Sequence, residues 1–337
     1  MLRLYAVLLI ALTINPAVGT AAPHYTAVDL GAMSALSINS SGQIIGLEIW
    51  NQPCYWNATG TPVIATGMLR LEAISDDGQA VGCYVAEDGS VHAAIWTPSG
   101  ITDIGAPFGD STGMSINHDG RVVGQSGGYA CLWIPSEEPR RLASLAPTDT
   151  TSRAFSINAG GAVAGDSGFG TDGQACIWNP DGTITALGTL GGTTSCARSI
   201  NAGGQVVGYA DPSFGDNCHA FIWDSTSGMR DLGTLQDNGE PSWAFSINNA
   251  GQVAGSSGSK AFVWDQGSGL VELPTLGGDR SGANWINDAG WIVGSSSTSN
   301  GDFHAVLWRP VPEPSSAATL LVAPIWLLIV TRRRAVR

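Results

Sequence analysis

Charge is scarce in this chain: 13% of its 337 residues are Asp, Glu, Lys or Arg, and only 15 of them are basic. That excludes the broad cationic face by which proteins hold nucleic acid or anionic lipid. Histidine is scarcer still, with five residues spread from His24 to His304. Long apolar runs are also missing, for Leu4 to Ile14 and Ala317 to Val330 are both short for membrane spans and lie at the two ends. Glycine is plentiful instead, with 45 residues, as expected of an all-β chain rich in turns.

What the chain does contain is one pattern repeated seven times. Each unit has an Ile usually followed by Asn, a turn closed by Gly, an apolar pair ending in Gly, and a strand ending in Trp. The isoleucines are Ile38, Ile74, Ile116, Ile157, Ile200, Ile247 and Ile286, spaced 36, 42, 41, 43, 47 and 39 residues apart. The tryptophans are Trp56, Trp96, Trp133, Trp178, Trp223, Trp264 and Trp308. A period of about 40 to 45 residues belongs to propeller blades and similar arrays, whose units cannot bury their apolar faces alone.

The fifth unit reads as four strands: Ala197 to Asn201, Gln205 to Tyr209, His219 to Asp224 and Arg230 to Leu235. The turn between the first two ends in Gly in every unit (Gly42, Gly78, Gly120, Gly161, Gly204, Gly251, Gly290), as a type I turn followed by a left-handed bulge residue requires. Third strands such as Lys260-Ala261-Phe262-Val263-Trp264 are apolar at nearly every position, so both their faces should be covered by neighbouring blades. Their Trp is then a core residue, and the His of His92, His219 and His304 is a polar cap at the start of such a strand.

Fourth strands follow the Trp at Asp103-Ile104-Gly105, Leu187 to Leu190, Asp231 to Leu235 and Leu273 to Leu276, but nothing comparable follows Trp308. Val28-Asp29-Leu30-Gly31 copies Arg230-Asp231-Leu232-Gly233 at the other end, with no strands before it. An N-terminal strand completing the last blade removes the free edges of a ring. The expected fold is all-β, a seven-bladed β-propeller of four-stranded repeats over residues 24–310, closed by an N-terminal strand and followed by a C-terminal hydrophobic helix.

The residues His219-Ala220-Phe221, Leu232 to Leu235, Gly277-Gly278 and Ser246-Ile247-Asn248 resemble the HAF-type extracellular repeat, with variants at His92-Ala93-Ala94 and His304-Ala305-Val306. The resemblance covers nearly all of residues 24–310 and implies export and a β-rich fold. It brings no catalytic residue.

Residues 1–22 read as a signal peptide for signal peptidase: Arg3, the apolar run, then Gly19, Thr20, Ala21 and Ala22 before Pro23. At the other end Pro312, Glu313 and Pro314 precede the apolar stretch and a stop-transfer cluster of Arg332, Arg333, Arg334 and Arg337. Residues 311–337 therefore resemble the PEP-CTERM sorting signal of Gram-negative bacteria. That resemblance implies an inner-membrane precursor, recognition by an exosortase, removal of the tail and delivery to the cell surface. Loss of the five arginines in these segments takes the formal charge from −13 to −18.

Six cysteines in an oxidising compartment raise the question of disulfides. Cys54, Cys131 and Cys176 stand two residues before a repeat Trp, a slot for small buried side chains. Cys196 and Cys218 lie in one unit at strand ends expected on a common edge, and are the candidate pair. Gly165-Asp166-Ser167-Gly168 has the look of a protease nucleophile loop but occupies the ordinary end of a second strand. No cofactor is expected. Asp76-Asp77-Gly78, Asp119-Gly120, Asp166 to Asp172 and Asp211 to Asp216 lack a closing bidentate Glu and leave room only for a weak calcium site.

Inner-strand positions read mostly as Ser, Ala and Ile, and the loops between second and third strands, such as Asp211 to Cys218 and Ser295 to Asp302, vary most. The reading that follows is a non-enzymatic surface or matrix protein associated with exopolysaccharide or surface proteins. A secreted polysaccharide hydrolase or lyase is the alternative, and two or more carboxylates at one mouth of the axial channel would favour it.

Overall fold

The computed structural model describes residues 24–31, 33–48, 51–56, 62–168, 173–213, 217–236 and 239–311. They form seven antiparallel sheets of four strands each, and no helix occurs among them. In chain order the blades cover residues 33–64, 68–105, 111–141, 152–186, 195–233, 242–272 and 277–310. Tyr25–Asp29 adds the fourth strand to blade 7, antiparallel to Phe303–Pro310, with Tyr25 opposite Pro310 and Asp29 opposite Val306. The first strand of every blade packs against the first strands of both neighbours, so these seven are innermost. The all-β, seven-bladed architecture and its N-terminal closure agree with the repeat pattern.

The core consists of seven interfaces between blades rather than one centre. Between blades 4 and 5, Ala164, Ala175 and Ile177 meet Ala197, Ile200 and Phe221; between blades 7 and 1, Val293 and Leu307 meet Ile38 and Trp56. Third strands are covered on both faces, which accounts for their unbroken apolar sequence. The repeat Trp is buried in five blades and half-buried at Trp223 and Trp264. Two indole nitrogens donate to a carbonyl of the preceding blade, Trp178 to Ala143 at 2.6 Å and Trp308 to Pro274 at 2.7 Å.

Two strand assignments shift. In blades 4 and 6 the fourth strand is Ile184–Ala186 and Gly269–Glu272, ahead of the segments expected from sequence. Leu187 and Leu273 make one more rung, to Ala175 and Ala261, then turn inward to be buried as crossovers to the next blade. In blade 7, Ser295 to Thr298 prolong the second strand instead of forming a loop.

The signal segment 1–22, the Pro312-Glu313-Pro314 motif, the apolar stretch expected to be a helix, and Arg332, Arg333 and Arg334 lie outside the described residues. So do parts of two acidic loops. Among the described residues no helix is long and apolar enough to cross a membrane.

Candidate functional site

Each first strand carries a β-bulge at the same place, between Ala35 and Ser37 in blade 1 and at the matching positions through Ala283 and Trp285 in blade 7. The bulge explains the Gly that ends every apolar pair. A Cβ on Gly208 would stand 1.9 Å from the Cys196 carbonyl oxygen, and one on Gly124 2.0 Å from that of Thr112. Only Gly permits that approach.

A bulge leaves one residue per blade unpaired and re-aims it. Here these are Leu36, Glu72, Met114, Phe155, Arg198, Phe245 and Asn284, and together with Trp285 they line a cavity of about 160 Å³ on the axis. The expectation of a Ser-, Ala- and Ile-lined channel is therefore corrected at this level. The signal was present in the sequence: inside the framework of Ala-x-Ser-Ile-Asn, which departs from that pattern only in blades 2, 3 and 7, position x changes chemistry in nearly every unit. It reads as noise until the bulge gives it a direction.

Charge in the chamber is uneven. Glu72 lies 2.9 Å from the Arg70 guanidinium, and burial pushes its carboxyl above the usual carboxylate range against the pull of Arg70 and Arg198. The Arg198 guanidinium rests 4.1 Å from the Phe155 ring centre and 5.9 Å from that of Phe245. It makes no hydrogen bond or ion pair among the described residues, and its Nε is buried. Asn284 instead donates to the Ala35 carbonyl of blade 1 at 2.8 Å.

One mouth of the channel, a cavity of about 250 Å³, is ringed by the repeat Ile and Asn residues. Each Asn does two jobs. Asn248 Oδ1 accepts the Gln252 N–H and closes its own hairpin, while its Nδ2 donates to the Asn287 carbonyl in the next blade at 3.1 Å. The same latch runs from Asn39 to Ser75, Asn117 to Asn158, Asn158 to Asn201, Asn201 to Asn248, and Asn287 back to Asn39. Blade 2, with Ser75 in that position, breaks the circle.

Two carboxylates line this mouth, Asp76 and Asp288. Asp76 accepts the Ser40 N–H at 2.8 Å, and Asp288 accepts both the backbone and side-chain N–H of Asn249 at 2.9 and 2.8 Å. They belong to the latch between blades.

The remaining candidates fall into the framework. Ser167 Oγ donates to Asp149 at 2.7 Å and accepts the Leu145 N–H, while Asp166 pairs with Arg153, so neither has a histidine base. Ser126, Ser257 and Ser296 accept a backbone N–H in the same way. His92, His219 and His304 each hold an Asp of the adjacent fourth strand, Asp103, Asp231 and Asp29. The pairing expected between Cys196 and Cys218 is absent, and both are free thiols. The second strand of blade 5, Val206–Ala210, runs between them, so they stand two strand spacings apart, about 9.6 Å, beyond the reach of a disulfide. No group of three or more His, Cys, Asp or Glu among the described residues is arranged to hold a metal.

No family model matches the chain, and no curated protein matches it. Among solved structures the chain is similar to acylaminoacyl peptidase of Pyrococcus horikoshii, at 12% identity and a TM-score of 0.54, over 86% of this chain and 54% of that one. That likeness shows the fold alone. TolB from Acinetobacter baumannii matches at 15% identity and a TM-score of 0.44, over 83% of this chain and 63% of that one. A gluconolactonase of Xanthomonas campestris matches at 11% and 0.46, over 86% and 90%. The chain thus spans little more than half of the peptidase and under two thirds of TolB.

Proposed function

We propose that the ring is an exported cell-surface protein with a non-catalytic binding role, released from an inner-membrane precursor by signal peptidase at one end and by an exosortase acting at Pro312-Glu313-Pro314 at the other. The observation that carries this reading is the meeting of the two ends: the Val311 N–H donates to the His24 carbonyl at 2.7 Å. Every strand among the described residues lies between these two, so removal of both apolar terminal segments leaves those strands in place. The partner is exopolysaccharide or another surface protein.

The sorting step is tested by changing Pro312, Glu313 and Pro314 together to alanine and fractionating the cells. The variant should stay in the inner membrane with its tail attached; normal tail removal overturns the reading.

Asp76 and Asp288 at one mouth favour the second reading, a polysaccharide hydrolase or lyase. Their hydrogen bonds to the neighbouring blade weigh against it, since a catalytic acid pair must be available to substrate. Turnover of a polysaccharide by the wild type, abolished in Asp76→Asn and Asp288→Asn, would establish it.

A further inference from the structure

The axial chamber holds a guanidinium that no hydrogen-bond acceptor among the described residues meets. Arg198 is the residue that the blade 5 bulge turns toward the axis, and its guanidinium has ring contacts but no acceptor among the described residues. Arg198 is half-buried with its Nε enclosed, and the neighbouring rings give it cation–π contact but no hydrogen-bond acceptor. Glu72, the acid of the same chamber, feels the charge of Arg198 but forms no ion pair with it, and is engaged instead by Arg70 at 2.9 Å. The other walls are Leu36, Met114, Phe155, Phe245, Asn284 and Trp285. An orphan guanidinium above an aromatic and aliphatic bed is the arrangement that receives a carboxylate, because the planar fork of N–H donors matches its two oxygens.

We propose that this chamber binds a small organic monocarboxylate, with the carboxylate on Arg198 and the carbon body against Phe155 and Phe245. Its volume of about 160 Å³ is below the ~300 Å³ at which pockets for drug-sized ligands begin, which suits a guest of one small ring or a short chain. The acid comes either as a free apolar carboxylate or as a single sugar acid. The inference rests on the binding reading of the ring and is independent of how the chain is sorted.

The test is titration calorimetry on the purified protein with benzoate and glucuronate, each beside its neutral counterpart, benzyl alcohol and glucose. At least one carboxylate should bind one per chain and at least tenfold more tightly than its counterpart. Arg198→Leu should weaken that binding at least tenfold, and Arg198→Lys, which keeps charge but loses the fork, should fall between. Thermal unfolding of both variants checks that the ring is intact. A preference for glucuronate or for benzoate names the source, and either supports the chamber. Equal affinity of acids and neutral compounds, equal affinity of wild type and Arg198→Leu, or no binding of either acid at millimolar concentration overturns the proposal. A sorting variant with its tail attached should still bind, so failure here is distinct from failure of the export reading.

Discussion

His304 holds Asp29 across 275 residues of sequence, with its Nδ1 2.9 Å from both carboxylate oxygens. The same contact joins His92 to Asp103 and His219 to Asp231, where the partners are 11 and 12 residues apart. Asp29 also accepts the Gly31 N–H at 2.8 Å, as Asp231 accepts that of Gly233 at 2.7 Å. The chain therefore closes its ring with the contact it uses inside an ordinary blade, so the first strand is the displaced end of the seventh repeat.

Deleting residues 25–31 should destabilise the ring by about 3 kcal/mol or more, comparable to losing a large core side chain. Tyr25 and Ala27 pack against the core that contains Trp308. Thermal unfolding reads the effect, and an unchanged midpoint would contradict closure by this strand.

Acid should weaken the same clasp. Burial pushes the Asp29 carboxyl up, but the Gly31 N–H and the His304 ring outweigh it and hold the group below the usual carboxylate range. A depressed carboxylate stabilises the fold above its unfolded pKa, about 3.9, and that contribution disappears as pH falls through the lower folded value. Asp29→Asn should thus be less stable than the wild type at pH 6, with the gap narrowing below about pH 4. A gap of constant size down to pH 2 would show that charge plays no part.

The two glycine classes should separate on substitution. Gly208→Ala drives a Cβ to 1.9 Å from a carbonyl oxygen and should cost about 2 to 4 kcal/mol. Gly204→Ala meets open space and suffers only its φ of 78°, so about 1 kcal/mol is expected. Denaturant midpoints that rank the two in reverse would refute the bulge argument.

Completing the Asn circle should add stability. Ser75→Asn supplies the missing donor toward the Asn117 carbonyl and should gain up to about 1 kcal/mol, whereas Asn248→Ala removes four hydrogen bonds at once and should lose about 1 to 3 kcal/mol. Matched denaturant titrations decide both.

All six cysteines should titrate as thiols after unfolding without reductant. In the native ring the five buried ones should react more slowly than the half-buried Cys218, since burial pushes Cys54, Cys131 and Cys196 up to about 12. A count of four thiols would restore the Cys196–Cys218 disulfide.

The repeat made much of this fold legible. The spacing of Ile and Trp, the hairpin Gly and the copy of Arg230-Asp231-Leu232-Gly233 at Val28-Asp29-Leu30-Gly31 are local chemistry, and local chemistry is written along the chain. The repeat Trp packs between blades, Ser167 accepts a backbone N–H as Ser126, Ser257 and Ser296 do, and the His slots hold an Asp of the next strand, as residues repeated around a ring do. The disulfide was misplaced since strand ends on one edge can still have another strand between them, as Cys196 and Cys218 do.

Sequence alone determined that seven equivalent units must bury their apolar faces against one another, and that the unit cut at the C-terminus is completed at the N-terminus. Periodicity carries that information because every blade repeats the same hydrogen bonds and the same core. Only the tertiary structure decided what the ring encloses. Leu36, Glu72, Met114, Phe155, Arg198, Phe245 and Asn284 come from seven separate units, and each is turned toward the axis by a bulge that the sequence marks only by a Gly on the opposing strand. Their meeting depends on closure of the whole circle, so no stretch of sequence contains it.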